Sequence, residues 1–168
     1  MGHRQYYWAK VSEYIKLFPY KEIPFIMSHP LFSSPTYYDM KTGKLIIITN
    51  ENFERLVKKR LSELRPMFFK SPQKFILNIN KPYMVDVFSM IDSHFDDKEF
   101  NMWFHYIWTR TEYPHQMGVR NLKRLFEKTD RKLVMEDEDY EKYVSLPDIV
   151  TIYRGIQKGE KKKSTIQG

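Results

Sequence analysis

The segment "DDKEFNMWFHYIW", from Asp96 to Trp108, restricts what this chain can fold into more than any other stretch. Phe100, Trp103, Phe104, Ile107 and Trp108 recur at i, i+3, i+4, i+7 and i+8, the spacing of one broad face of an α-helix. So wide a stripe of rings must leave water, and it can do so only against other apolar stripes. Asp96, followed three residues later by Glu99, reads as a capping box that starts the helix. The stripe reads as core and not as a base-stacking platform, because such platforms are usually strands interleaved with Lys or Arg.

Other stripes are available. Trp8, Val11, Tyr14, Ile15 and Phe18 fall at helical spacing within residues 4–18, and Pro19 ends the pattern. Asn50 reads as the N-cap of a helix carrying Phe53, Leu56, Val57, Leu61 and Leu64, with Pro66 after its end. Lys81-Pro82 opens a helix through Ile91, since proline suits a first turn. A further helix over 119–128 turns Val119, Leu122, Leu125 and Phe126 inward and Arg120, Lys123, Arg124 and Lys128 outward. "MEDEDYEKYVSL" starts acidic, as a helix N-terminus prefers, with Tyr140, Tyr143 and Val144 on its apolar side.

The β signals are fewer. "YYDMKTGKLIIIT" reads as a hairpin turning at Lys41-Thr42-Gly43, and Leu45 to Ile48 is a continuous apolar run that suits a strand covered on both faces. "QKFILNIN" over 73–80 reads as a short strand, and Ile149 to Tyr153 as a last strand. The expected class is therefore α+β, helix-rich with a small hairpin or sheet. The expected organisation is one domain over 1–156 and a basic tail over 157–168.

Composition narrows the chemistry. The 168 residues suffice for a core that removes about 70% of the unfolded surface from water. Twelve Tyr and twelve Phe make it a core of rings, some with a hydroxyl that needs a partner. There is no cysteine, which excludes disulfides, cysteine zinc sites and a cysteine nucleophile. The start "MGHRQYYWAK" has no apolar h-region and lacks the Ser or Thr of a myristoylation signal. The five histidines form no H-x-x-x-H or H-E-x-x-H pair, so no metal site is expected. Neither a phosphate-cradling glycine loop nor a G-x-S-x-G elbow is present. The net charge of +7 biases the chain toward anionic partners, although Lys158, Lys161, Lys162 and Lys163 contribute much of it from the tail.

The end of the chain carries the most specific pattern. Trp108, "TEYPHQ" at 111–116, "LVMEDEDYEKY" and then "LPDIVTIYRG" at 146–155 follow one another in an order that resembles bacteriophage and bacterial ADP-ribosyltransferase-like proteins. The resemblance covers about residues 100–168. It implies that the last strand is the first strand of a transferase-like core. It also implies that Arg154 contacts the phosphates or ribose of NAD, with Tyr153 and Gly155 beside it. In the family a Ser-rich strand and a catalytic glutamate follow, and this sequence reaches Gly168 where the second motif would begin. NAD is accordingly expected only if the chain continues beyond Gly168, and no catalytic residue is assigned.

Three functions are carried forward. The first is a phage or mobile-element protein that acts without catalysis on a host protein or ribonucleoprotein in the bacterial cytoplasm, for instance as an inhibitor of a defence nuclease. The alternative is the N-terminal part of an NAD-dependent ADP-ribosyltransferase. The third is direct binding of nucleic acid. Arg55, Lys58, Lys59, Arg60, Arg120, Lys123 and Arg124 are the candidate contacts for nucleic acid or a partner.

Overall fold

A computed structural model of the chain describes residues 2–21, 27–111, 118–147 and 149. The elements run α1 (His3–Lys16), β1 (Thr36–Asp39), β2 (Lys44–Ile47), α2 (Asn50–Lys70), α3 (Pro72–Ile76), a 3-10 turn (Lys81–Tyr83), α4 (Met84–Ile91), a second 3-10 turn (Asp92–His94), α5 (Asp97–Trp108), α6 (Val119–Lys128), α7 (Arg131–Val134) and α8 (Asp137–Val144). The architecture is helix-rich with a two-stranded antiparallel sheet, as the pattern of stripes and turns implies. Two compact units emerge, Met1–Val134 and Met135–Gly168.

In the first unit α4 is the central helix. Met84, Val85, Asp86, Val87, Phe88 and Ile91 are all buried, so the helix is enclosed on nearly every side. It packs against α1, α3 and α5, and α1 also packs on α2. The stripe of α5 enters as expected: Phe100, Phe104 and Ile107 are buried, while Trp103 and Trp108 are half-buried. Phe104 lies parallel to Phe88 at 6.0 Å and to Phe100 at 5.8 Å between ring centroids, an offset stack that fills the space between α4 and α5. A second aromatic cluster joins α1 to α2 and α3, where Trp8 sits 5.2 Å from Phe68 and 5.9 Å from Phe75. In the second unit α8 keeps the acidic first turn Asp137, Glu138, Asp139 at its N-terminus, and Tyr140 and Tyr143 are ring neighbours at 6.5 Å.

Several local expectations change. Residues 73–80 are not a strand. Pro72 fixes the first turn of α3, and Phe75, Ile76 and Ile79 are buried while Leu77 is exposed, which is helical spacing and not alternation. α2 does not end at Pro66 but runs on to Lys70, keeping Leu64 and Phe68 in one buried stripe. The hydrogen bond that proline forfeits would have used the carbonyl of Ser62, and both residues are exposed, so the break does not fall in the core. The N-cap of α2 is Thr49 and not Asn50, and the Asn52 side chain accepts the Thr49 N–H at 3.0 Å and donates to the Ile47 carbonyl at 2.8 Å. Asp96 does cap α5, accepting the Glu99 N–H at 2.8 Å, but the Glu99 carboxylate accepts from Gln73 instead of closing a box.

α6 keeps its expected span, with a different division of faces. Leu125 is fully buried, whereas Val119 is 83% exposed. Arg124 does not point freely outward: it donates to both oxygens of Asp92 and to the Ser89 carbonyl, and Lys128 joins the same carboxylate at 3.4 Å. The strand expected from Ile149 to Tyr153 falls, apart from Ile149, outside the described residues.

Candidate interaction surface

The hairpin has two faces of opposite character. Antiparallel register pairs Thr36 with Ile47, Tyr37 with Ile46, Tyr38 with Leu45 and Asp39 with Lys44. Side chains alternate, so Tyr37, Asp39, Lys44 and Ile46 share one face and Thr36, Tyr38, Leu45 and Ile47 the other. Gly43, at φ +67°, makes the turn that fixes this register, and its N–H donates to the Asp39 carbonyl at 2.8 Å.

The inner face is fastened to α2. Tyr37 is buried, and its hydroxyl donates to the Glu63 carboxylate at 2.8 Å. Burial, together with that carboxylate, pushes the Tyr37 hydroxyl up to about 12. Asp39, 3% exposed, accepts from Lys59 Nζ at 2.5 Å and from the Lys41 N–H at 3.0 Å. The hydrogen bond from Lys59 is the main reason its carboxyl is held down at about 2.

The outer face is bare. Tyr38, Leu45 and Ile47 are 54, 67 and 69% exposed, and Met40 at the start of the turn is 78% exposed. Leu45 to Ile48 was expected to be covered on both faces. Only Ile48 is buried and Ile46 half-buried, because α2 covers one side and no described element covers the other. One short hairpin thus leaves four large apolar side chains exposed. Lys41 in the turn is exposed beside them, and Lys44 is exposed on the other face.

The candidate basic residues do not assemble into one track. Lys59 is committed to Asp39, and Arg60 bonds Asn78 Oδ1 at 3.0 Å and lies 3.6 Å from Glu63. Lys58 faces Glu54 at 3.9 Å and Lys123 faces Glu127 at 3.7 Å, both as exposed i, i+4 pairs. Arg124 is clamped on Asp92, while Arg55 and Arg120 are exposed. Tyr153, Arg154 and Gly155 lie outside the described residues. No family model, no curated protein and no solved structure matches the chain.

Among the described residues no group of three or more His, Asp or Glu is placed to hold a metal ion, and no helix is long and apolar enough to cross a membrane. A groove of about 330 Å³ runs between α1 and α2, where the stripe Trp8, Ser12, Lys16 meets the stripe Lys58, Leu61, Arg65. Sequence reasoning assigned Lys58 to a basic helix face but missed Lys16 and Arg65, because the facing of two helices distant in sequence is not written in either one.

Proposed function

We propose that the chain is a non-catalytic interaction protein that docks the outer face of its hairpin on a partner protein. The observation that carries this reading is the exposure of Tyr38, Met40, Leu45 and Ile47 on a hairpin whose opposite face is fastened to α2. A rigidly anchored apolar patch loses little conformational freedom when it binds, which favours recognition. The exposed Lys41 and the net charge of +7 favour a partner whose apolar surface is bordered by carboxylates. The resemblance of residues 100–168 to phage ADP-ribosyltransferase-like proteins supports a bacterial host protein or ribonucleoprotein as that partner, with inhibition of a defence protein, of the anti-CRISPR kind, as the outcome. Lys59, Arg60 and Arg124 are held by well-buried carboxylates, and the other candidate cations do not form one track with them, which leaves direct nucleic-acid binding with less support. The test is co-purification from bacterial lysate of the wild type beside the Leu45→Glu/Ile47→Glu variant. A discrete partner retained by the first and lost by the second is the expected result; equal retention would refute the reading.

A further inference from the structure

The β2 edge of the hairpin carries polar backbone groups that no described residue answers. The Ile48 N–H donates to the Pro35 carbonyl at 2.8 Å, which fixes the alternation of the antiparallel ladder. Tyr37 with Ile46 and Asp39 with Lys44 are thus the hydrogen-bonded pairs, and Thr36 with Ile47 and Tyr38 with Leu45 are not. The N–H and C=O groups of Leu45 and Ile47 therefore point away from β1. Asn52 closes the far end of this edge, donating to the Ile47 carbonyl and accepting the Thr49 N–H. The Leu45 N–H, the Leu45 carbonyl and the Ile47 N–H have no hydrogen-bond partner among the described residues.

The side chains around these groups do not guard the edge. Natural edge strands are blunted by charge, proline or a covering element. β2 runs Lys44, Leu45, Ile46, Ile47 with no proline, and Leu45 and Ile47 are 67 and 69% exposed. β1 is the more enclosed strand, with Tyr37 and Asp39 buried. Charge selects among the occupants. Lys41 and Lys44 are exposed, and neither side chain forms an ion pair among the described residues. A second copy of the chain would bring the same lysines and a further charge of +7 to this edge, whereas a segment with carboxylates would answer them.

We propose that the partner docked by the hairpin supplies an extended segment that pairs with the β2 edge as a third strand, its side chains alternating between apolar residues and carboxylates. The pairing rests on the docking reading above and names what the partner brings. A residue placed opposite a β2 residue shares its face of the sheet. Apolar residues of the segment therefore lie beside Leu45 and Ile47 on the outer face, and a carboxylate lies beside Lys44 on the other. The open groups suit a segment of about four or five residues, in which backbone bonds give affinity and the alternation gives specificity.

The test is a two-dimensional NMR titration of the isotopically labelled full chain with the peptide acetyl-Glu-Val-Glu-Val-Glu-amide. Further arms are the same peptide N-methylated on its three central residues and the counterpart with Lys in place of Glu. Saturable downfield shifts of the Leu45 and Ile47 amide protons are expected with the first peptide, none with the N-methylated one, and binding weaker by about threefold or more with the lysine peptide. Ile47→Pro removes an N–H that points away from β1, a change an edge strand tolerates, and should abolish binding, whereas Ile47→Ala should weaken it only severalfold. The proposal is overturned by no saturable shift up to about 5 mM peptide, or by equal binding of the N-methylated or the lysine peptide. It is also overturned by shifts of the same two amides that depend on the concentration of the chain alone, which would make a second copy the occupant. Any of these results, with a partner still lost from Leu45→Glu/Ile47→Glu, removes strand pairing and leaves docking through side chains; retention of the partner by that variant refutes the docking reading itself.

Discussion

Lys59 on α2 donates to Asp39 on β1 at 2.5 Å, and this one contact holds the hairpin's turn end against the helix. It spans twenty residues of sequence and sets which face of the hairpin is left bare. Lys59→Ala should accelerate amide exchange across β1 and β2 severalfold and leave α4 and α5 unaffected, because the hairpin alone loses a tie to α2, keeping that of Tyr37 to Glu63. The same contact gives a pH signature. The Asp39 carboxyl is depressed to about 2, so its contribution is complete above the ordinary carboxylate range and is lost as pH falls through about 2. Hairpin shifts followed by NMR should therefore hold steady from neutral pH to about 3.

The stacked rings of α4 and α5 predict a steep contrast between two phenylalanines. Phe104 is 2% exposed between Phe88 and Phe100, whereas Phe126 on α6 is 41% exposed. Phe104→Ala should cost about 3–5 kcal/mol in urea denaturation, and Phe126→Ala about 1 kcal/mol or less. Similar values for the two would contradict the placement of the core.

Asp92 is the hub that fastens α6 to the end of α4. It is 7% exposed and receives Arg124 at 2.9 Å and Lys128 at 3.4 Å, with Lys128 also 4.2 Å from the Phe100 ring centroid. Asp92→Ala should destabilise the chain by about 1–3 kcal/mol, because it strands two cations at once. Arg124→Ala, at a half-exposed side chain, should cost about 1 kcal/mol or less. Both changes should raise amide exchange in α6 first.

Buried histidines make the fold sensitive to mild acid. His29 is 1% exposed, accepts the Leu31 N–H on Nδ1 at 3.1 Å and packs among Phe18, Phe32 and Phe53, and burial lowers it to about 4. His94, packed against Tyr7 and Phe68, is lowered by burial as well. The unfolded chain binds these protons first, so stability present above about pH 6.5 is lost as pH falls toward 4. His29 alone should cost on the order of 2 kcal/mol at pH 5 relative to pH 7. Asp86, raised by burial, works in the opposite sense, gaining stability as pH falls toward the ordinary carboxylate range. Urea denaturation of wild type and His29→Asn at the two pH values checks this, with the variant losing much of the difference.

How far the sequence reveals this depends on the distance over which each feature is encoded. The stripes of α1, α2 and α5, the Asp96 cap and the Gly43 turn depend on residues a few positions apart, and all are recognisable before any fold is known. The segment around Phe75 misleads because Phe75, Leu77 and Ile79 also alternate, and only the packing decides that Ile76 goes inside. The outer face of the hairpin departs from expectation for a related reason. An apolar run such as Leu45 to Ile48 says that two faces can be covered, but not whether this chain supplies the second cover. Partners such as Asp92 for Arg124 and Asp39 for Lys59 lie 32 and 20 residues away, beyond any local pattern.

Docking of the hairpin's outer face on a partner protein is open to site-specific photo-crosslinking from position 47, with position 58 on α2 as a control, in bacterial cells expressing the chain. One discrete adduct is expected from position 47, competed by excess wild type but not by Leu45→Glu/Ile47→Glu, which should itself stay folded within about 0.5 kcal/mol of wild type. An absence of adducts from position 47, or the same adducts in equal yield from position 58, would contradict it.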